Sequence, residues 1–425
     1  MSNIEDAKAF IEKAAGYGSI LGLSTISELL IKLNNPQDDL DIIHVAGTNG
    51  KGSTCCFLRN ILSQAGYKVG VYTSPAVFCE YERYKINDID ISENDYYENI
   101  LRIKVCCEEM VDEGLAHPTI FEIETALAFL YFKEQKVDYM ICEVGMGGLE
   151  DATNVIDESL CSVFASIGRD HMQFLGDSVT EIAQVKAGIM KNGGNAVSIW
   201  QEDEVVEVLC KKAEELKVNL NICQREKLKI NSYNPICFDY KDYKDVKLKM
   251  IGDYQIDNAV LTLEVVNKLQ DLGVKISNKN IYDGLNKAMW PGRMELICEN
   301  PTVYIDGAHN YPAAVKLLDT IKDNFTNKTI TYIIGVLGDK ERIKMLETLL
   351  PYGKDIITVT PLNARGYAGE SLANDIKSMG YDAIYASSFQ EAYDVSKNLK
   401  NDIILALGSL SYLKDFKDVI RSIDV

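Results

Sequence analysis

Apolar runs bounded by glycine and polar residues recur along the chain, and their spacing alternates between strand and helix. DIIHVAG (41–47) reads as a strand, TCCFLRNILSQAG (54–66) as a helix closed by Gly66, and YKVGVYT (67–73) as the next strand. VDYMICEVG (137–145), LCSVFASI (160–167) and NAVSIW (195–200) add three short strands that read as buried, with helical periodicity such as 120–135 between them. This βαβ rhythm predicts a mostly parallel sheet with helices on both faces. Residues 226–250 break the rhythm with short alternating stretches separated by Asn, Pro and Asp, the pattern of a β-hairpin excursion. A helical pattern resumes at 255–271, and WPGRME (290–295) then inserts a Pro-Gly break. TVYIDG, TITYIIGV, DIITVT and DIILALGS follow as strands separated by helices. The break predicts two α/β domains, a larger one over 1–295 and a smaller one over 296–425.

Composition narrows the function classes. Lys and Arg total 44 against 63 Asp and Glu, a net charge of −19, which argues against nucleic acid as a partner because phosphate backbones are held by clustered cations. Anionic small molecules would have to be held by local devices rather than by the overall field. The apolar runs fall far short of the roughly 20 residues that cross a bilayer, and the N-terminal stretch is charged and amphipathic rather than basic then apolar. These features predict a non-secreted, cytoplasmic protein with no membrane partner. Eleven cysteines without a C-x-x-C, beside only four histidines, read as reduced and mostly buried thiols rather than a zinc site or a disulfide framework.

HVAGTNGKGST (44–54) lies between a buried strand and a helix, where a Gly-rich loop cradles phosphates. Gly47, Gly50 and Gly52 let the backbone approach an oxyanion, and Lys51 supplies a mobile positive charge. The loop departs from a strict G-x-x-x-x-G-K-[ST], since position 45 is Val and Gly52 separates Lys51 from Ser53. An ordinary Gly-rich turn is the plain alternative. Three other residues fall at strand ends, where ligands of parallel sheets bind: Ser74, Glu143 and His171. Together they could hold Mg²⁺, which takes few protein ligands and completes its shell with phosphates and water. Singly, Glu143 could pair with a lysine, His171 cap a turn and Ser74 start one. In the second domain Asp306 and His309 of DGAHN again follow a strand, and Arg293 lies just before it; a domain-joining salt bridge is the alternative to a nucleotide contact. For Lys186 in QVKAGIM a surface lysine is the plain reading, and nothing in the local sequence decides its role.

Taken together the motifs resemble one family, the folylpolyglutamate synthases and dihydrofolate synthases of the Mur-ligase superfamily. The pieces that carry the resemblance include HVAGTNGKGS (44–53), TSP (73–75), PTIFEIETALAF (118–129), CEVGMGG..DATNV (142–155), SIGRDHMQFLG (166–176), KAGI (186–189), YQIDNA (254–259), WPGRME (290–295), IDGAHN (305–310), GVLGDK (335–340) and GSLSYL (408–413). The resemblance implies an N-terminal P-loop domain with a mostly parallel sheet and a smaller C-terminal Rossmann-like domain. It also implies an ATP-dependent ligase that joins L-glutamate to a folate, or to dihydropteroate, through an acyl phosphate. Carried over, Thr48, Asn49, Gly50, Lys51, Gly52 and Ser53 would bind the triphosphate, and Ser74, Glu143 and His171 would bind one or two Mg²⁺. Lys186 would be carbamylated. Asn258, Arg293 and Asp306 would complete the ATP site, with His309 beside them as a catalytic residue. Phe121, Glu150, Asp151 and Ala152 would face the folate. A monomer is the family expectation. Departures from the family pattern are Ile20, Ala76, Leu149, Glu150, Val185 and the GDYQ at 252–255. Leu149 and Glu150, where the pattern has Arg and Leu, bear on the acceptor. Another Mur-type amino-acid ligase acting on a cell-wall precursor, and an inactive nucleotide-binding homologue, are the competing readings.

Overall fold

The structure, a computed structural model, describes residues 3–18, 22–76, 78–169, 176, 178–338, 342–363 and 365–423. They form two compact units, one of residues 1–228 and 257–287, the other of 229–256 and 288–425. This grouping differs from a single cut at 295/296. Residues 250–256 join the second unit, where Gly252 seats against Thr320 and Asp253 pairs with Lys316.

The first unit is built on an eight-stranded sheet of β1 (Ile42–Ala46), β2 (Val69–Tyr72), β3 (Tyr84–Ile86), β4 (Ile89–Asp90), β5 (Tyr139–Glu143), β6 (Cys161–Phe164), β7 (Asn195–Ser198) and β8 (Asn219–Ile222). Its order is β4-β3-β2-β5-β1-β6-β7-β8, parallel except for the β2-β3-β4 edge. Every residue of β1 is buried, as a strand covered on both faces requires. The chain leaves β1 for β2, returns through β5 beside β1, and then continues on β1's other flank with β6. The strand order therefore reverses around β1, the place where open α/β sheets bind ligands. Helices Asn3–Ala15, Ser24–Lys32, Glu93–Asp112 and Ile120–Glu134 enclose one core with Leu29, Leu30, Ile100, Phe129 and Phe132. Helices Val179–Ala187 and Asp203–Glu215 enclose another around Phe164, Ile182 and Leu209.

The helix expected at 54–66 begins earlier, at Lys51, so Lys51, Gly52 and Ser53 form its first turn. Gly50 precedes it at φ +87°, a left-handed conformation that a glycine adopts without steric penalty and that turns the loop into the helix. Gly66 lies just past the last turn at φ +93°.

In the second unit, β9 (Leu228–Tyr233), β10 (Ile236–Tyr240) and β11 (Tyr243–Leu248) make a three-stranded sheet, one strand more than a hairpin. β12 (Glu295–Cys298), β13 (Val303–Ile305), β14 (Ile330–Ile334), β15 (Asp355–Thr358), β16 (Ile384–Tyr385) and β17 (Ile403–Leu407) form a sheet in the order β12-β13-β17-β14-β15-β16. Only β12 runs antiparallel within it. All eleven cysteines are free, and six of them are buried. Among the described residues no helix is long and apolar enough to cross a membrane.

Candidate active site

The loop after β1 is tied to the end of β6. The amides of Thr48 and Asn49 both donate to the Ser166 carbonyl, at 2.7 and 3.2 Å. The Thr48 hydroxyl donates to the Gly168 carbonyl at 2.9 Å and accepts from the Gly168 amide at 3.1 Å. Beyond Gly50 the helix presents its opening amides, which have no acceptor within a helix and favour an anion there. Lys51 sits in that first turn with its Nζ 3.7 Å from Oε1 of Glu143, whose side chain is 7% exposed. Register explains the meeting: Glu143 is the last residue of β5 and pairs across to Val45, two residues before Gly47. Ser74 stands two residues beyond β2, the strand on β5's other side, and is partly buried. Glu143 and Ser74 thus offer hard oxygen donors at adjacent strand ends, a set that suits Mg²⁺. His171 lies outside the described residues. Among the described residues no group of three or more His, Cys, Asp or Glu is placed to hold a metal.

From Glu143 the chain runs into a glycine-rich turn that gathers most of the other expected residues. A Cβ on Gly145 would come within 2.3 Å of the Phe121 ring, so that ring packs directly on the turn. A Cβ on Gly148 would come within 2.8 Å of the Val185 carbonyl and 3.0 Å of the Lys186 Cα, so the end of helix Val179–Ala187 packs on it too. Lys186 is not a surface residue; it is 4% exposed, and its Nζ donates to the Gly47 carbonyl at 3.0 Å. The turn closes on Asp151. Its Oδ2 accepts from the Met146 amide at 2.7 Å, and its Oδ1 from the Thr153 amide and hydroxyl at 3.1 and 2.5 Å. Burial pushes this carboxyl up, and those donors oppose the shift. Ala152 is buried, whereas Glu150 and Leu149 are exposed. The Glu150 carbonyl accepts from the Gly22 amide at 3.3 Å; Ile20, two residues earlier in the chain, lies outside the described residues. Asn258 completes the first unit's set: its buried amide stands where a Cβ on Gly50 would be only 2.3 Å from Oδ1.

In the second unit, Asp306 follows β13 and is buried, its Oδ2 accepting from the Met294 amide at 2.9 Å and its Oδ1 from Ala308 at 2.8 Å. Burial raises its pKa, opposed first by the neighbouring Arg293. Gly307 leaves room for that guanidinium, since a Cβ there would sit 2.3 Å from Arg293 Nη1. His309 places Nδ1 2.8 Å from the Gly307 carbonyl, so Nδ1 carries the proton and donates.

One buried group at the site belongs to none of these motif roles. His44 on β1, 0% exposed, sets Nε2 2.9 Å from the Thr153 hydroxyl. A lone histidine within the apolar run IIHVA was its sequence signal.

The Mur ligase middle domain family matches residues 45–266, and the Mur ligase glutamate ligase domain family matches 292–410. A dihydrofolate synthase/folylpolyglutamate synthase of Bacillus subtilis is 36% identical, over 98% of this chain and 99% of its own. The crystal structure of a folylpolyglutamate synthase from Thermotoga maritima superposes with a TM-score of 0.88 at 30% identity, covering 98% of this chain and 97% of that one. The E. coli FolC structure, in complex with DHPP and ADP, gives a TM-score of 0.87 at 27% identity, covering 99% and 98%.

Proposed function

The chain belongs to the folylpolyglutamate synthase and dihydrofolate synthase family of Mur ligases, and on that premise we propose that it joins L-glutamate to a folate carboxylate at the expense of ATP, with dihydropteroate as a second acceptor. One observation carries the reading. The segment from Glu143 to Asp151 meets Lys51 of the phosphate loop at one end, and along its length packs against Phe121 and Lys186. A single turn therefore joins a triphosphate cradle to an aromatic acceptor wall, the arrangement that phosphoryl transfer onto a second substrate needs.

A carboxylate is a poor electrophile. Transfer of the γ-phosphoryl group breaks its bond to ADP and forms an acyl phosphate on the acceptor. The glutamate amine then attacks the acyl carbon, loses a proton, and expels inorganic phosphate. Residues 48–53 hold the phosphates, with Lys51 and the helix-opening amides facing their charge. Bound Mg²⁺, held by Glu143, Ser74 and His171, would neutralise phosphate charge. By the family pattern, Asn258, Arg293 and Asp306 would serve the nucleotide, His309 the reacting end, and Phe121, Glu150, Asp151 and Ala152 the acceptor. Lys186, buried at the phosphate loop, would take up CO₂ on its neutral Nζ and release a proton to become a carbamate; intact-protein mass spectrometry in bicarbonate, against Lys186→Ala, checks the added CO₂. Exposed Leu149 and Glu150 place an apolar and an acidic side chain where the family pattern has Arg and Leu, which disfavours long anionic glutamate tails. The enzyme acts as a cytoplasmic monomer, a state light scattering checks.

The test is phosphate release by purified protein with ATP, Mg²⁺, L-glutamate and either tetrahydrofolate or dihydropteroate. Release with a pterin supports the reading. Release only with a peptidoglycan precursor overturns it, as does ATP binding without turnover on any acceptor.

A further inference from the structure

His44 occupies the central strand just before the phosphate loop, yet its side chain faces the turn on the acceptor side. The protons along its contacts can be assigned. The Thr153 hydroxyl donates to Asp151 Oδ1 at 2.5 Å, so its oxygen must accept from His44 Nε2, 2.9 Å away. Nε2 therefore carries the imidazole proton. Nδ1 carries no proton and has no hydrogen-bond partner among the described residues. Complete burial first, and Lys191 second, disfavour the charged form and together hold the imidazole pKa down at about 3. Lys191 itself donates to the Asn154 carbonyl and Oδ1, at 3.2 and 2.9 Å, and to the Ile156 carbonyl. The segment that follows Asp151 is thus held from one side by the fully buried His44 and from the other by the half-buried Lys191.

We propose that His44 is a positioning residue for the acceptor: by donating Nε2–H to Thr153 it fixes the Asp151 carboxylate, and with it the turn on which Phe121 packs. The inference rests on the assignment of that turn to the folate side. It couples the strand that carries the phosphate loop to the acceptor wall through two hydrogen bonds, so the acceptor's place is set relative to the γ-phosphoryl group.

Two measurements test it. In imidazole-labelled protein, with His44→Phe supplying the assignment, long-range proton–nitrogen NMR should show His44 as the neutral Nε2–H tautomer from pH 5 to 9. A Nδ1–H tautomer, or titration at the ordinary imidazole pKa, would overturn the relay. Kinetically, His44→Phe keeps a ring but removes the donor, and should raise KM for the folate acceptor about tenfold, the loss expected for one buried hydrogen bond, while KM for ATP moves less than about twofold. His44→Gln, whose amide nitrogen stands near the place of Nε2, should restore most of the acceptor KM. Thr153→Val, the second variant should His44→Phe fail to fold, should repeat the effect and Thr153→Ser should reverse it. Wild-type acceptor KM in a folded donor-less variant would overturn the proposal. Folate-dependent phosphate release by the wild type is measured first; its absence would overturn the underlying reading, whatever the tautomer.

Discussion

Gly50 joins the phosphate loop to its helix, and a methyl group there would collide with the amide of Asn258. The backbone stands at φ +87°, and an added Cβ would lie 2.3 Å from Oδ1 and 3.2 Å from Cγ, where ordinary contacts begin at 3.4 Å. Asn258 must therefore withdraw by about 1 Å, which a close-packed interior resists. Alanine in the left-handed region costs about 1–2 kcal/mol, and moving a buried amide adds roughly another 1–2 kcal/mol. Gly66 separates the two contributions. It has φ +93° with nothing within 4 Å of its would-be Cβ, so Gly66→Ala carries the backbone cost alone. Denaturant unfolding of both variants should place Gly50→Ala below Gly66→Ala by about 1–2 kcal/mol. The ATP KM should rise in Gly50→Ala only, by up to about tenfold for each 1.4 kcal/mol of lost nucleotide contact. Asn258→Gly in the Gly50→Ala background should recover part of the stability. Equal stabilities and equal ATP KM values in the two alanine variants would refute both the clash and the placing of Asn258 at the nucleotide.

Changing Lys51 or Glu143 to Ala should abolish ligation while leaving thermal unfolding cooperative, read by phosphate release and calorimetry on the same samples. Arg83 Nη1 lies 2.5 Å from Glu124 Oε2 within a cluster of buried tyrosines, so Arg83→Met should destabilise by about 3 kcal/mol or more. Arg83→Met with Glu124→Leu should cost less than the single change, because no buried carboxylate is then stranded. His44 gives a pH signature. Its folded pKa, about 3, lies below the ordinary value of 6.5, so the unfolded chain binds the extra proton between these limits. Stability from this group is present above pH 6.5 and lost as pH falls towards 3, by an amount on the order of a few kcal/mol. Chemical unfolding from pH 7 to 4 should therefore show a shallower acid loss for His44→Gln than for the wild type.

The strands that positioned the site were legible because both their faces are covered, which writes a continuous apolar run into β1, β5, β6, β14 and β17. Strands β3, β4, β8 and β16, at or next to the sheet edges, were not, being two to four residues long and partly exposed. The phosphate loop was legible from its glycines, but the helix start was set three residues late. Gly52 reads as loop in sequence, yet Gly50 already supplies the turn. Lys186 illustrates the harder limit. Its burial depends on Gly148 and Gly47, each nearly 40 residues or more away in sequence, and no local pattern reports such packing. The Thr153–Asp151 contact is local, two residues apart, but its link to His44 spans 109 residues and exists only in the fold.

The route of the phosphate oxygen distinguishes an acyl phosphate from other activated acceptors. Turnover of a folate acceptor carrying heavy oxygen in its reacting carboxylate, followed by mass spectrometry of product and phosphate, should show one added glutamate and one labelled oxygen in each released phosphate. Unlabelled phosphate, or label appearing in AMP, would contradict an acyl phosphate formed at the Lys51 loop.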